Sequence, residues 1–152
     1  MDNKRTAVAG LVISAAALVS IAINEGYTSS VVIPVKGDRP TWGFGDTETV
    51  QIGKTTTPPR ALVQLEKSAN EHAKGMAKCI NVPISQNEYD AYLSFTYNVG
   101  VGAFCKSNVA RDLNAGRYEQ ACKDLLQWDH AGGVRYPGLT KRRQEESAKC
   151  LE

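Results

Sequence analysis

Between Arg5 and Glu25 the chain carries no charged side chain for 19 residues, from Thr6 to Asn24. Whatever this chain folds into must place that run either in a bilayer or against a core. Its heart, Ala7 to Ile23, is built from alanine, valine, isoleucine and leucine with Gly10, Ser14 and Ser20 among them. The length is close to the roughly 20 residues that span a hydrocarbon layer. The composition is only weakly apolar, because alanine, glycine and serine dilute the large side chains. Lys4 and Arg5 in front of it would keep the N-terminus cytoplasmic and send the rest outward. Three readings are open: a cleaved leader with Ser20-Ile21-Ala22 as a loose small-x-small site, a permanent anchor, and a segment that enters the membrane and later leaves it. Cleavage would leave Glu25 at the new N-terminus, and a permanent anchor would want a greasier segment. The composition favours the third.

The remaining residues suit one domain with a core of its own, since the whole chain has 152 residues. A net charge of +2 is too small to indicate nucleic-acid binding. Four cysteines, Cys79, Cys105, Cys122 and Cys150, are never closer than 17 positions, so no zinc or redox pair is present. Neither His72 nor His130 stands at metal-ligand spacing from them. No metal and no organic cofactor are implied. An even count predicts two disulfides in an oxidising compartment, and four buried thiols otherwise.

From Glu25 to about Thr57 the residues are rich in Gly, Pro, Thr and Val, and three short strands are expected, at Val31–Pro34, Thr41–Gly45 and Thr49–Ile52. Helices follow. Thr57 caps one, opened by Pro58 and Pro59, that runs towards Cys79. Ser85-Gln86-Asn87-Glu88 is a capping box that starts a second, ending near Gly100. A third covers Ser107 to Ala115, a fourth Tyr118 to Trp128, and Thr140 caps a last one reaching Cys150. The fold class expected is α+β and mainly helical, with a small N-terminal β lobe, a helical C-terminal lobe and a cleft between them.

Cutting a glycosidic bond requires a carboxylic acid that keeps its proton beside the leaving oxygen, and usually a second carboxylate. Glu25 stands at the end of the apolar run, and Gly26 lets the chain turn away behind it, so an apolar setting is expected for that acid. Asp38 lies in a turn between strand signals, where a hairpin would swing it back towards Glu25. It equally suits a plain Gly-Asp turn. Thr41 begins the next strand, and its hydroxyl could hold a water between the two carboxylates.

Glu25-Gly26 followed by Thr41-Trp42-Gly43-Phe44-Gly45-Asp46-Thr47 resembles the active-site stretch of phage-type lysozymes, the glycoside hydrolase family 24 endolysins. Pro83–Ala91 and Ser94–Gly100 resemble that family's central helix. Leu113–Gly116, Trp128, Gly132-Gly133 and Gly138–Arg143 resemble its C-terminal half. The likeness runs from Glu25 to Cys150. It implies a lysozyme-like fold and a muramidase cutting the β-1,4 bond from N-acetylmuramic acid to N-acetylglucosamine. The partner it implies is the glycan strand of peptidoglycan, and nothing asks for more than a monomer. The family's triad is Glu, an eight-residue spacer, Asp or Cys, a five-residue spacer, and Thr. Here Glu25 and Thr41 match with one extra residue between them, and Pro34 fills the place expected for Asp. Asp38 is the nearest carboxylate. The resemblance includes inverting enzymes, whose carboxyl groups stand about 6.5–9.5 Å apart.

The apolar leader resembles the signal-anchor-release endolysins. It implies a membrane segment over 1–24 and a muramidase domain over 25–152, held inactive at the host inner membrane and then released to the periplasm. Asn98 is a candidate sugar contact, or the cap of its helix. Arg142 and Arg143 are candidates for holding peptidoglycan carboxylates, or simply a solvated first turn that opposes its helix dipole. Trp42 and Trp128 could stack on sugars, although core packing is commoner, and Tyr89, Tyr92 and Tyr97 are read as packing. Cys105–Cys122 and Cys79–Cys150 are the pairing guessed among three. A cleft that binds glycan without cutting it, or a membrane-tethered protein without catalysis, is the alternative to an enzyme.

Overall fold

The structure, a computed structural model, describes residues 4–152; the first three residues of the 1–24 segment lie outside it. The uncharged run is not one continuous helix here. Val8–Gly10 form a single 3-10 turn, and α1 begins only at Ala15 and runs to Glu25. Ser14 sets that start, because its side chain accepts from the Ala17 amide at 3.1 Å. Gly26, at φ 70°, then turns the chain into the β lobe. No helix of the described residues is long and apolar enough to cross a membrane.

The segment is docked at several points. Thr6 forms an isolated antiparallel bridge with Ile84. Arg5 donates from Nη2 and Nε to the Glu88 carboxylate, at 2.7 and 3.1 Å, and its guanidinium carbon lies 3.7 Å from the centre of the Tyr118 ring. The Ser14 amide donates to Asp90. Val8, Leu11 and Ile13 pack on the main core, and Ile21 is fully buried.

β1 (Thr28–Val32) and β2 (Thr41–Gly43) form an antiparallel hairpin in which Thr28 faces Gly43 and Val32 faces Thr41. Thr55 makes a single bridge to Ser30, but the third expected strand before it, Thr49–Ile52, does not form. There the chain is taken up by a side-chain-held turn. Asp46 accepts from the Glu48 amide at 2.8 Å, the Thr49 amide at 3.2 Å and the Trp42 indole at 3.1 Å, and from the Thr49 hydroxyl. Gly43, at φ 59°, lets β2 approach the next helix so closely that a Cβ there would come within 2.8 Å of the Ala61 Cβ.

α2 (Pro58–Ala77) buries Ala61, Leu65, Ala69, Ala73 and Met76 along one stripe. Its N-terminal Thr57 makes no side-chain cap, and the two prolines suffice to start it. α3 (Gln86–Val99) is the central helix: every residue from Glu88 to Thr96 is buried, and the Ser85–Glu88 capping box is formed in both directions. α4 (Val101–Cys105), which was not expected, fills the turn after Gly100. α5 (Asn108–Asn114) is capped by Ser107. The expected Tyr118–Trp128 helix is α6 (Tyr118–Asp124) followed by a 3-10 turn over Leu125–Gln127. β3 (His130–Ala131) and β4 (Val134–Arg135) make a small hairpin around Gly132-Gly133.

α7 (Pro137–Leu151) starts at Pro137, not at Thr140. Thr140 lies inside it and donates to Asp129 at 3.0 Å, so its hydroxyl ties the helix to the hairpin instead of capping it. The cysteine pairing also differs from the guess. Cys79 joins Cys105 and Cys122 joins Cys150, with Cα atoms 5.4 and 5.5 Å apart. α4 brings Cys105 back against the end of α2, which spacing along the chain could not show.

Two outcomes follow for stability. In Arg5→Ala the Glu88 carboxylate, 2% exposed, loses its counter-charge; chemical denaturation should show a loss of about 1–3 kcal/mol. For Asp46, burial alone would push the carboxyl up, but the Thr49, Glu48 and Trp42 hydrogen bonds outweigh it and hold it below the usual aspartate value. A carboxyl lowered by folding stabilises above its unfolded value and stops doing so as pH falls through its folded one. Asp46→Asn should therefore cost about 0.5–1.5 kcal/mol near pH 7. Its deficit in melting temperature should shrink when both proteins are compared below about pH 4.

Candidate active site

Glu25 is the last residue of α1, so its side chain leaves the helix where the chain enters the β lobe. That side chain is 26% exposed, and its Oε1 lies 3.3 Å from Nη1 of Arg142. The apolar surroundings expected for it are thus replaced, on one side, by a buried guanidinium. A Cβ on Gly45 would stand 3.8 Å from its Oε2, so the β lobe closes against the other side.

Glu25 lines an open groove of about 590 Å³ together with Asn24, Asn98, Ala131, Tyr136, Gly138, Leu139 and Arg142. Its neighbour Gly45 lines a second hollow of about 230 Å³ under the β lobe, faced by Asp46, Thr47, Gln64, Ser68, His72 and Tyr97. Glu25 therefore stands where the two hollows adjoin. Both are edged with hydroxyl, amide and carboxylate groups, the chemistry that a polyhydroxylated chain can satisfy.

Arg142 is 7% exposed at its side chain and is fixed by three partners: Glu25, the Ser94 carbonyl at 3.1 Å and Glu146 at 3.2 Å. The expected solvated first turn is not found. Because α7 begins at Pro137, Arg142 and Arg143 fall in its second turn and face α3. Asn98 does not cap α3. The Gly100 amide closes the helix on the Thr96 carbonyl, and the Asn98 Oδ1 accepts from Arg143 at 2.9 Å.

The structure thus brings Glu25, Asn98 and Arg142 to one groove. Asp38 and Thr41 are not among the described residues lining it. Thr41 pairs with Val32, and its hydroxyl approaches the Val32 carbonyl at 3.5 Å. Asp38 is exposed in the connection beyond that pair, and its amide donates to the Val35 carbonyl as in a simple turn. The ladder from Thr28 to Val32 runs roughly 13 Å, so it carries Asp38 to the far end of the hairpin.

Trp42 is 8% exposed and belongs to the core. Trp128 packs edge-on to Phe95 at 5.3 Å and donates to Asn108. Tyr97, read from sequence as packing, instead faces the hollow and packs on the His72 ring at 4.7 Å. Burial pushes its hydroxyl up, against the pull of Ser68; the Glu25 charge adds to the rise and Arg142 opposes it. Gln64, Ser68 and His72 were not singled out. Their signal was legible as a polar i, i+4, i+8 stripe beside the apolar one of α2.

The phage lysozyme family model matches residues 22–146, which takes in α1 from its last turn to most of α7. The endolysin of Bacillus phage B103 is 40% identical over 87 residues, covering 57% of this chain but only 33% of that protein. The SAR-endolysin of Enterobacteria phage PA-2 is 33% identical over 131 residues, 84% of this chain and 79% of its own. Among solved structures, the lysozyme of phage P22 superposes with a TM-score of 0.85 at 29% identity, over 93% of this chain and 99% of that one. With Glu25 between a groove walled by α1, α3 and α7 and a hollow under a small β lobe, the chain belongs to the phage lysozyme family, among the signal-anchor-release endolysins.

Proposed function

We propose that this endolysin hydrolyses the β-1,4 bond from N-acetylmuramic acid to N-acetylglucosamine in bacterial peptidoglycan, with Glu25 as the general acid. The observation that carries the reading is the position of Glu25, at the junction of two hollows and held by Arg142. Its protonated carboxyl gives a proton to the bridging oxygen as the bond from that oxygen to the muramic-acid C1 breaks. A water attacks C1 and loses its proton to a base. Asp38 is proposed as that base and Thr41 as the holder of the water; neither lines the groove around Glu25, so the β1–β2 hairpin has to close over the bound glycan to bring them to C1. The expected outcome is inversion at C1. Asp38 is the acidic side chain of that connection and makes no side-chain hydrogen bond among the described residues. Asn98 and Arg142 are assigned to the walls that hold the sugar.

The segment 1–24 is proposed to tether a monomeric 25–152 enzyme to the host inner membrane, N-terminus inside, until it leaves for the periplasm. The support lies in its surface. Val12, Val19 and Ile23 are 72%, 54% and 76% exposed even when the segment is docked. Apolar side chains left in water along a short segment suit one that has a second, lipid environment.

The test is lysis of permeabilised Gram-negative cells, with reducing sugar released from purified cell walls as the chemical readout. Glu25→Gln should lose at least about a hundredfold in rate while still sedimenting with cell walls. Asp38→Asn should lose a comparable factor. Wild-type sugar release by Glu25→Gln would end the enzyme assignment, and full activity in Asp38→Asn would remove Asp38 alone.

A further inference from the structure

Behind Glu25 lies a group of buried charges that the reaction as described does not use. Arg142, Arg143 and Glu146 are 7%, 0% and 5% exposed at their side chains. Burying three such charges is not how a core gains stability, since well-packed apolar residues do at least as well. Their arrangement points towards the groove. Glu146 stands four residues after Arg142 and three after Arg143, so one carboxylate meets both guanidinium groups on the same face of α7. Its Oε1 is 3.2 Å from Arg142 Nε and accepts from the Ser94 hydroxyl at 2.7 Å, and its Oε2 is 2.8 Å from Arg143 Nε. The last approach is too far off line for a hydrogen bond, so Oε2 and Nε interact as charges. The outer end of each arginine then reaches a groove residue: Arg142 reaches Glu25 and Arg143 reaches Asn98.

We infer that Glu146 is a positioning residue for the hydrolysis, holding Arg142 against Glu25 and Arg143 against Asn98 and balancing their charge while Glu25 exchanges its proton. This rests on Glu25 being the acid. Count the four groups together. With Glu25 protonated, two arginines and Glu146 leave one positive charge. Once Glu25 has given up its proton the set is neutral. The carboxylate formed at bond breaking therefore meets a fixed guanidinium that needs no rearrangement, the arrangement that lowers a barrier most effectively. Without Glu146 the two guanidinium groups repel each other, and the acid in its protonated form faces two uncompensated positive charges.

Other charged or titratable groups face the cluster. Asp90 on α3 is engaged with Ser14 and Gln86, and Glu145 and Lys149 on α7 line the small cavity behind it. Tyr97 of α3 and Asp46 of the β lobe lie on the groove side. Ser94 contributes only its hydroxyl and carbonyl. Burial drives the Glu146 carboxyl up, and Arg143, Ser94 and Arg142 pull it back.

The experiment compares the full-length protein with Glu146→Gln, Glu146→Asp, Ser94→Ala and Glu25→Gln on soluble peptidoglycan strands, measuring kcat, KM and the pH profile of kcat/KM. Glu146→Gln should lower kcat about 10–100-fold, with KM within about twofold of wild type. Its high-pH limb should move to lower pH by about half to one unit, because the extra positive charge favours the ionised acid. Glu146→Asp should restore the limb while recovering only part of kcat. Ser94→Ala, which keeps every charge, should lower kcat about threefold and leave the limb in place. A folded Glu146→Gln with wild-type kcat and an unmoved limb overturns the inference, as does one that raises KM alone. Should Glu146→Gln fail to fold, Ser94→Ala decides, and unchanged kcat there rejects the positioning role. Activity in Glu25→Gln would instead mean that the assignment of the acid, not of Glu146, is at fault.

Discussion

The Arg142 guanidinium joins three separate stretches of chain at one point: the end of α1 through Glu25, the middle of α3 through the Ser94 carbonyl, and its own helix through Glu146. An arginine suits this because its donors are fixed in a planar fork and its charge persists. Once α7 is packed on α3, the guanidinium has a defined place, and whatever carries Glu25 must come to it. The groove is thus assembled from pieces more than a hundred residues apart, and its geometry depends on how accurately the helical lobe is built.

The N-terminal segment meets that lobe through a different kind of contact. Its apolar side chains offer little discrimination between one greasy surface and another. The polar points are selective: Arg5 at Glu88 and Tyr118, Thr6 at Ile84, Ser14 at Asp90. Glu88 serves twice, closing the capping box of α3 and receiving Arg5. The cation that, on the proposed reading, keeps the N-terminus on the cytoplasmic side of the membrane is the same one that fastens the segment to the folded domain.

Much of this architecture was legible in the residues. The Ser85–Glu88 box, the Pro58-Pro59 start and the Gly26 turn each depend on local chemistry and stand where expected. The misplaced features depend on partners distant along the chain. Thr140 has the look of a cap, but Asp129 draws its hydroxyl elsewhere. Cys105 pairs with Cys79 because an unexpected short helix turns it back. Arg142 and Arg143 look like solvated charges until Glu146 and α3 are placed beside them. The second carboxylate is hardest of all to read, since Asp38 sits on a hairpin whose direction is set by a register of two residue pairs.

Both disulfides lie wholly beyond residue 57, one joining the turn after α2 to α4 and the other α6 to α7. No covalent link reaches α1 or the β lobe. The cross-links therefore stiffen the part that serves as a receptor and leave the arriving part untied. On the proposed reading, oxidation outside the cytoplasm completes the helical scaffold in advance, and the N-terminal segment with Glu25 docks on it afterwards, with no bond that would first have to be broken.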